Sequence, residues 1–203
     1  VVFVGCGGSG DEVQKGYTAI PDENFEKTLI YLGLDDVIDG KVLNDNVNKV
    51  DSLYLDNVNN PTNYQISDLS GIEAFISLTY LNCQALEIKK LDISKNILLS
   101  VLICNGTQLT NLDLSNNTAL TSLNCSWNKL TSLDVSKNTA LTELQCSSNM
   151  LNYIDLSKNN SLAILYLNDN ELAGSLDVSK NINLTSLNVS NENILFRQAQ
   201  GYS

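Results

Sequence analysis

Cys83, Cys104, Cys125 and Cys146 stand 21 residues apart. Leu81, Leu102, Leu123, Leu144 and Leu165 keep the same interval, as do Asp92, Asp113, Asp134 and Asp155. A fixed period of twenty-odd residues restricts a chain to stacked coils, because one such unit cannot bury its own apolar side. One unit, LTSLNCSWNKLTSLDVSKNTAL at 120–141, nearly repeats within itself: Leu120 to Asn128 matches Leu130 to Asn138 in its leucines, threonine, serines and asparagine.

The letters of a unit indicate its local geometry. In Leu-x-x-Leu-x-Cys the second Leu and the Cys are two apart and share one side of an extended strand. Leu133-Asp134-Val135 behaves alike, with Asp134 on the outer side. Stacking at about 4.8 Å turns each apolar position into an inner column. Asparagine recurs where each half-unit must bend: Asn96, Asn117, Asn138, Asn159 and Asn181 in one column, Asn128, Asn149 and Asn170 in another. A buried amide there can satisfy backbone groups that the bend leaves unpaired, so these positions are expected to form ladders rather than catalytic groups.

LTSLNCSWNKL, LTELQCSSNML and LAILYLNDNEL resemble the leucine-rich repeat, and the intervening LDVSKNTALT is similar to short repeats of bacterial surface proteins, especially of the Bacteroidetes group. The resemblance covers roughly residues 50 to 190. It departs from the pattern where Leu86 and Thr107 replace the ladder Asn, where Leu167 replaces the column Cys, and near Gly174, where one residue is added. The expected fold is a leucine-rich repeat solenoid, mainly β, with parallel strands in coils of 21 residues. Extended segments begin near Leu78, Leu99, Leu120, Leu141, Leu162 and Leu184. Shorter extended pieces are expected opposite, from Leu91, Leu112, Leu133, Ile154 and Leu176.

Residues 19–49 fall outside the repeat. Pro21-Asp22-Glu23 predicts a helix start, Phe25, Leu29 and Leu32 give it an apolar face, and Gly33 is placed to end it. This predicts a small helical N-terminal cap, and IPDENFEKTLIYLG together with ISDLSGIE resembles the caps and first turns of internalin-like proteins. Asp35 to Gly40 lacks the spacing of a calcium loop and reads as a turn. Residues 56–70 form a wider connection with Pro61, and residues 191–203 lose the pattern as an irregular tail.

The chain starts on Val1, which suggests a longer precursor. Val1 to Gly5 reads as the end of an apolar signal segment, and Cys6 resembles a lipobox cysteine that becomes lipidated, with residues 7–18 as a tether. That resemblance implies an extracytoplasmic lipoprotein at the outer membrane or cell surface, or a secreted protein, touching a membrane only through Cys6.

A net charge of -11 with no histidine argues against nucleic acid, whose phosphates need Lys and Arg patches. It also removes the commonest general base and metal ligand. The column cysteines read as buried free thiols, with no close pair for zinc. No cofactor, metal or catalytic residue is expected. The outer Asp column stacks carboxylates about 5 Å apart, a separation retaining glycosidases use. It is repeated, unenclosed and flanked by lysines, so no two carboxylates have unlike environments; the reading is a solvated, Lys-compensated face.

That Asp face is monotonous, whereas the strand face varies from unit to unit. One outward column runs Tyr80, Val101, Ser122, Glu143, Ile164 and Ser186; the next runs Asn82, Ile103, Asn124, Gln145, Tyr166 and Asn188. Varied apolar and aromatic residues at exposed positions suit a partner. The candidate ligand face is therefore Tyr80, Asn82, Val101, Ile103, Ser122, Asn124, Trp127, Glu143, Gln145, Ile164 and Tyr166. Its partner would be a protein or glycan bound by a monomer. A structural spacer without a ligand is the alternative.

Overall fold

The computed structural model describes residues 16–56 and 65–190, and the backbone of 193–197. Cys6 and Pro61 lie outside the described residues. Seven short strands stack into one parallel sheet: β3 (Ser52–Tyr54), β4 (Tyr80–Asn82), β5 (Val101–Ile103), β6 (Ser122–Asn124), β7 (Glu143–Gln145), β8 (Ile164–Tyr166) and β10 (Ser186–Asn188). Leu53, Leu81, Leu102, Leu123, Leu144, Leu165 and Leu187 occupy one register line. The residues flanking each leucine point the other way, as the pleat requires. From Leu53 to Leu165 these leucines are 2% exposed or less, and the four cysteines lie in the adjacent buried column.

The molecule is a parallel-strand solenoid, as the repeat predicts. It differs on the opposite side. Leu91, Leu112, Leu133 and Ile154 point inward but begin no strand. Each following Asp folds back on its own chain: Asp92, Asp113, Asp134, Asp155 and Asp177 accept the N–H of the serine two residues on, at 2.8–3.0 Å. This Asx-turn bends the chain before a ladder can extend. Among the described residues, a strand forms on this side only where Gly174 lengthens the coil, β9 (Ala173–Asp177), paired in parallel with β11 (Asn193–Arg197).

The asparagines do form ladders, and the two differ. Asn138 donates through Nδ2 to Leu114 O at 3.2 Å and Asn117 O at 2.8 Å on the preceding coil, and Asn96, Asn117, Asn159 and Asn181 repeat the arrangement. Their Oδ1 atoms are buried without a partner. Asn149 donates to Cys125 O and Cys146 O and also accepts the Leu130 N–H at 3.0 Å. At Thr107, where the ladder lacks its amide, the hydroxyl donates to Asn128 Oδ1.

Ahead of the coils, β1 (Tyr17–Ala19) pairs antiparallel with β2 (Lys41–Leu43) around α1 (Glu23–Tyr31), followed by α2 (Asn44–Val47). Asp22 caps α1 through the N–H groups of Asn24 and Phe25, both 2.9 Å from Oδ1. Its other oxygen accepts the N–H groups of Ser67 and Asp68, tying helix to first coil. Burial opposes ionisation of Asp22, but the hydrogen bonds from Ser67, Phe25 and Asp68 outweigh it and hold the carboxyl below its ordinary range. Gly33, at φ 73°, follows the last helical turn, and Leu34 N–H closes it onto Leu29 O at 2.9 Å. Phe25 and Leu29 are buried, with the Phe25 ring 6.4 Å from that of Phe75. Leu32, expected on that face, is 42% exposed because it sits at the helix end beyond the contact. Gly71 receives Ile20 so closely that a Cβ there would meet Ala19 O at 2.8 Å.

Candidate functional site

The sheet aligns the predicted columns. Ser52, Tyr80, Val101, Ser122, Glu143, Ile164 and Ser186 form one line, and Tyr54, Asn82, Ile103, Asn124, Gln145, Tyr166 and Asn188 the other. Each strand is pinned to its neighbours by backbone bonds, so these side chains stand on a rigid base. Tyr80, Val101, Ile103, Ser122, Asn124, Glu143, Gln145, Ile164 and Tyr166 are half-buried, packed by the coils above and below yet reaching solvent.

Two expectations need correction. Asn82 is buried, 6% exposed, because it donates through Nδ2 to the buried carboxylate of Asp56 and accepts the Gln84 N–H. It is a structural link and not part of an open face. Trp127 is the most exposed large apolar side chain among the described residues, at 68%, but it leaves the chain three residues beyond the strand. It occupies a left-handed position, φ 59°, that recurs at Ala85, Gly106, Ser148 and Asp169.

Tyr54 belongs to the face and was missed. Leu53 precedes Leu81 by 28 residues, so extrapolating the 21-residue period does not reach it. Its alternation with Leu53 and Leu55 was the available signal. The Tyr54 and Tyr80 rings lie 4.8 Å apart. Burial, with the nearby Tyr54 and Asp56, pushes the Tyr80 hydroxyl above its ordinary pKa.

The face thus has three zones. Tyr54, Tyr80, Val101 and Ile103 gather at one end and Ile164 and Tyr166 at the other. Between them is a polar zone where the Ser122 hydroxyl and the Gln145 amide both donate to Glu143. Tyr166 and Ser186 share a hydroxyl contact at 3.2 Å.

The Asp face is a set of turns. Asp92, Asp134 and Asp155 are held below the ordinary carboxylate range first by the Ser94, Ser136 and Ser157 N–H groups, then by those hydroxyls, with Lys95, Lys137 and Lys158 adding a smaller pull. Serine, rather than the lysine expected from sequence, is the main compensation. An open groove of about 870 Å³ at its N-terminal end is lined by both signs, including Glu73, Glu87, Lys89, Lys90, Asp92 and Lys95. Among the described residues no helix is long and apolar enough to cross a membrane.

No family model matches the chain, and no curated protein matches it. Solved structures do. The functional domain of InlJ from Listeria monocytogenes, which includes a cysteine ladder, is 32% identical, with a TM-score of 0.68 over 89% of this chain and 44% of that one. The internalin InlF of the same organism is 26% identical, with a TM-score of 0.65 over 76% of this chain and 45% of that one. The plant peptide hormone receptor RGFR1 in complex with RGF2 is 25% identical, with a TM-score of 0.54 over 61% of this chain and 22% of that one. The chain spans less than half the length of these structures. Its inward leucine and cysteine columns, its parallel register and its likeness to these solved domains show the fold of a leucine-rich repeat solenoid.

Proposed function

We propose that this chain is a non-enzymatic binding module that engages a protein ligand through its strand face, at a cell surface or in secreted form. One observation carries the reading. The protein has 35 charged residues by composition, 12 basic and 23 acidic, yet Glu143 is the sole charge among the outward positions of the described seven-stranded sheet. Interface centres are depleted in charge and enriched in aromatics, and Tyr54, Tyr80 and Tyr166 meet that description, with the uncharged Ile103 beside them. The peptide held by RGFR1 supports a protein ligand by analogy of fold. A lipid on Cys6 would place the module on a membrane surface. The apolar run before that residue motivates the assignment, and mass spectrometry of the protein from its native membrane checks it: an unacylated Cys6 refutes it.

The test is selection of a displayed peptide library on the folded domain, followed by rebinding to Ile103→Asp and Tyr166→Asp. Enriched peptides should lose at least about tenfold in affinity on either variant, the cost of spoiling an interface anchor. Binders indifferent to both changes refute the strand face. The split of its apolar surface by Ser122, Asn124, Glu143 and Gln145 favours the second reading, a spacer with no ligand, which predicts no enrichment at all.

A further inference from the structure

Trp127 is the one tryptophan of the chain and breaks a local rule. Its column sits at positive φ in the five coils where it is described, and the other occupants are Ala85, Gly106, Ser148 and Asp169. Left-handed backbone disfavours a bulky side chain, and local violations of this kind concentrate at functional positions. The backbone there is fixed: Trp127 N–H donates to Ser147 O at 2.9 Å on one neighbouring coil, and Ser126 O accepts the Gly106 N–H at 2.9 Å from the other. The indole therefore projects from a rigid base. Gly106 on one side has no side chain and Ser148 on the other has a short one, which leaves space along the column beside the ring.

The surroundings decide what such a platform suits. A protein hot spot clusters near the centre of its interface, in a desolvated pocket whose surrounding contacts exclude water. Trp127 follows the strand at its edge, where register sets Asn124 between Ile103 and Gln145, two carboxamides and one apolar side chain. A quaternary ammonium needs a cage of several aromatics, and this is a single ring. Stacked nucleotides need cationic neighbours for phosphate, against a net charge of -11. A neutral pyranose fits each feature. Its C–H face packs on an indole, its hydroxyls both donate and accept, and carboxamides answer both roles.

We infer that Trp127, with Asn124 and Gln145, forms a subsite for one ring of a neutral carbohydrate at the edge of the strand face. This rests on the strand side being a ligand surface, but it uses neither apolar cluster. The lone tryptophan makes the test direct, since its emission reports this site alone. The folded domain is titrated with hexasaccharides of β-1,4-glucan, β-1,3-glucan, α-1,4-glucan, β-1,4-N-acetylglucosamine and mannan, with polygalacturonate as an anionic control. At least one neutral sugar should change the emission saturably at up to millimolar concentration and protect Trp127 from N-bromosuccinimide. By calorimetry, Trp127→Gly, which suits the positive φ and keeps the fold, should bind that sugar at least about tenfold more weakly. Asn124→Ala with Gln145→Ala should also weaken it. No saturable change with any neutral sugar, or undiminished binding by Trp127→Gly, overturns the subsite. A selected peptide that quenches Trp127 when no sugar does would assign the ring to the protein interface. Failure of the Ile103 and Tyr166 variants to affect peptides would leave the sugar titration standing.

Discussion

Asn138 and Asn149 offer the same side chain, deep in the same stack, with different work to do. Both are nearly enclosed, at 0% and 7% exposed, so removing either amide leaves a similar void. Asn138→Ala deletes two donated bonds. The carbonyls it served each keep another donor: Asn117 N–H on Leu114 O and Leu120 N–H on Asn117 O, at 3.0 and 3.1 Å. It also removes an Oδ1 that was buried and unpartnered. Asn149→Ala deletes donated bonds to Cys125 O, Cys146 O and, at 3.3 Å, Ser147 O, which keeps the Trp127 N–H. The Cys125 and Cys146 carbonyls retain the amides of Asn128 and Asn170 respectively. Its additional loss is the acceptor for Leu130 N–H, which becomes a buried orphan. An orphaned buried group costs about 1 to 3 kcal/mol. Asn149→Ala should therefore be less stable than Asn138→Ala by about 1 to 3 kcal/mol on that ground. Urea unfolding followed by circular dichroism measures the gap, with equal slopes showing that both variants unfold the same structure. Equal losses, or a larger loss for Asn138→Ala, would refute the view that the two ladders differ by a backbone donor.

Leu123→Ala should cost about 2 to 5 kcal/mol, the usual range for a buried leucine, while Ser122→Ala, giving up one half-exposed contact to Glu143, should cost less than about 0.5 kcal/mol. Denaturant melts of the pair check the strand register. The four column thiols are free and fully buried, and burial pushes Cys83 and Cys125 up to about 12. They should resist a thiol reagent at pH 8 in the native protein and all react once it is unfolded without reductant; protection of a pair would show a disulfide. Asp92, Asp113, Asp134 and Asp155 have lowered folded pKa values against an ordinary 3.8. Their contribution is complete above that value and is lost as pH falls through the lower folded values. Melting temperature should therefore drop in that acid window, and less steeply in Asp134→Asn; an unchanged slope would mean the Asx-turns contribute nothing. Raising calcium to millimolar at matched ionic strength should leave the melt unchanged, and a rise lost in Asp134→Asn would make the column a metal site.

The solenoid was legible because its information is local and periodic. Leu123 and Cys125 declare an inward column through alternation alone, and repetition of that signal multiplies its weight. The Asn columns and the end of α1 at Gly33 were readable for the same reason: each is a backbone need that one residue type meets. Other features depend on what a neighbouring coil supplies. Tyr54 joins the face only through pairing across a connection longer than the period. Asn82 leaves it because Asp56, brought in from 26 residues away, draws the amide inward. Asp134 relies on its own Ser136 N–H more than on Lys137, a preference set by turn geometry rather than charge count. Trp127 had the same letters around it as before, and its strained backbone emerged only from the stack. Period and polarity decide which residues face in, since burial rewards any consistent apolar column; distances between coils decide which outward residues stay open, and those exist only once the coils have stacked.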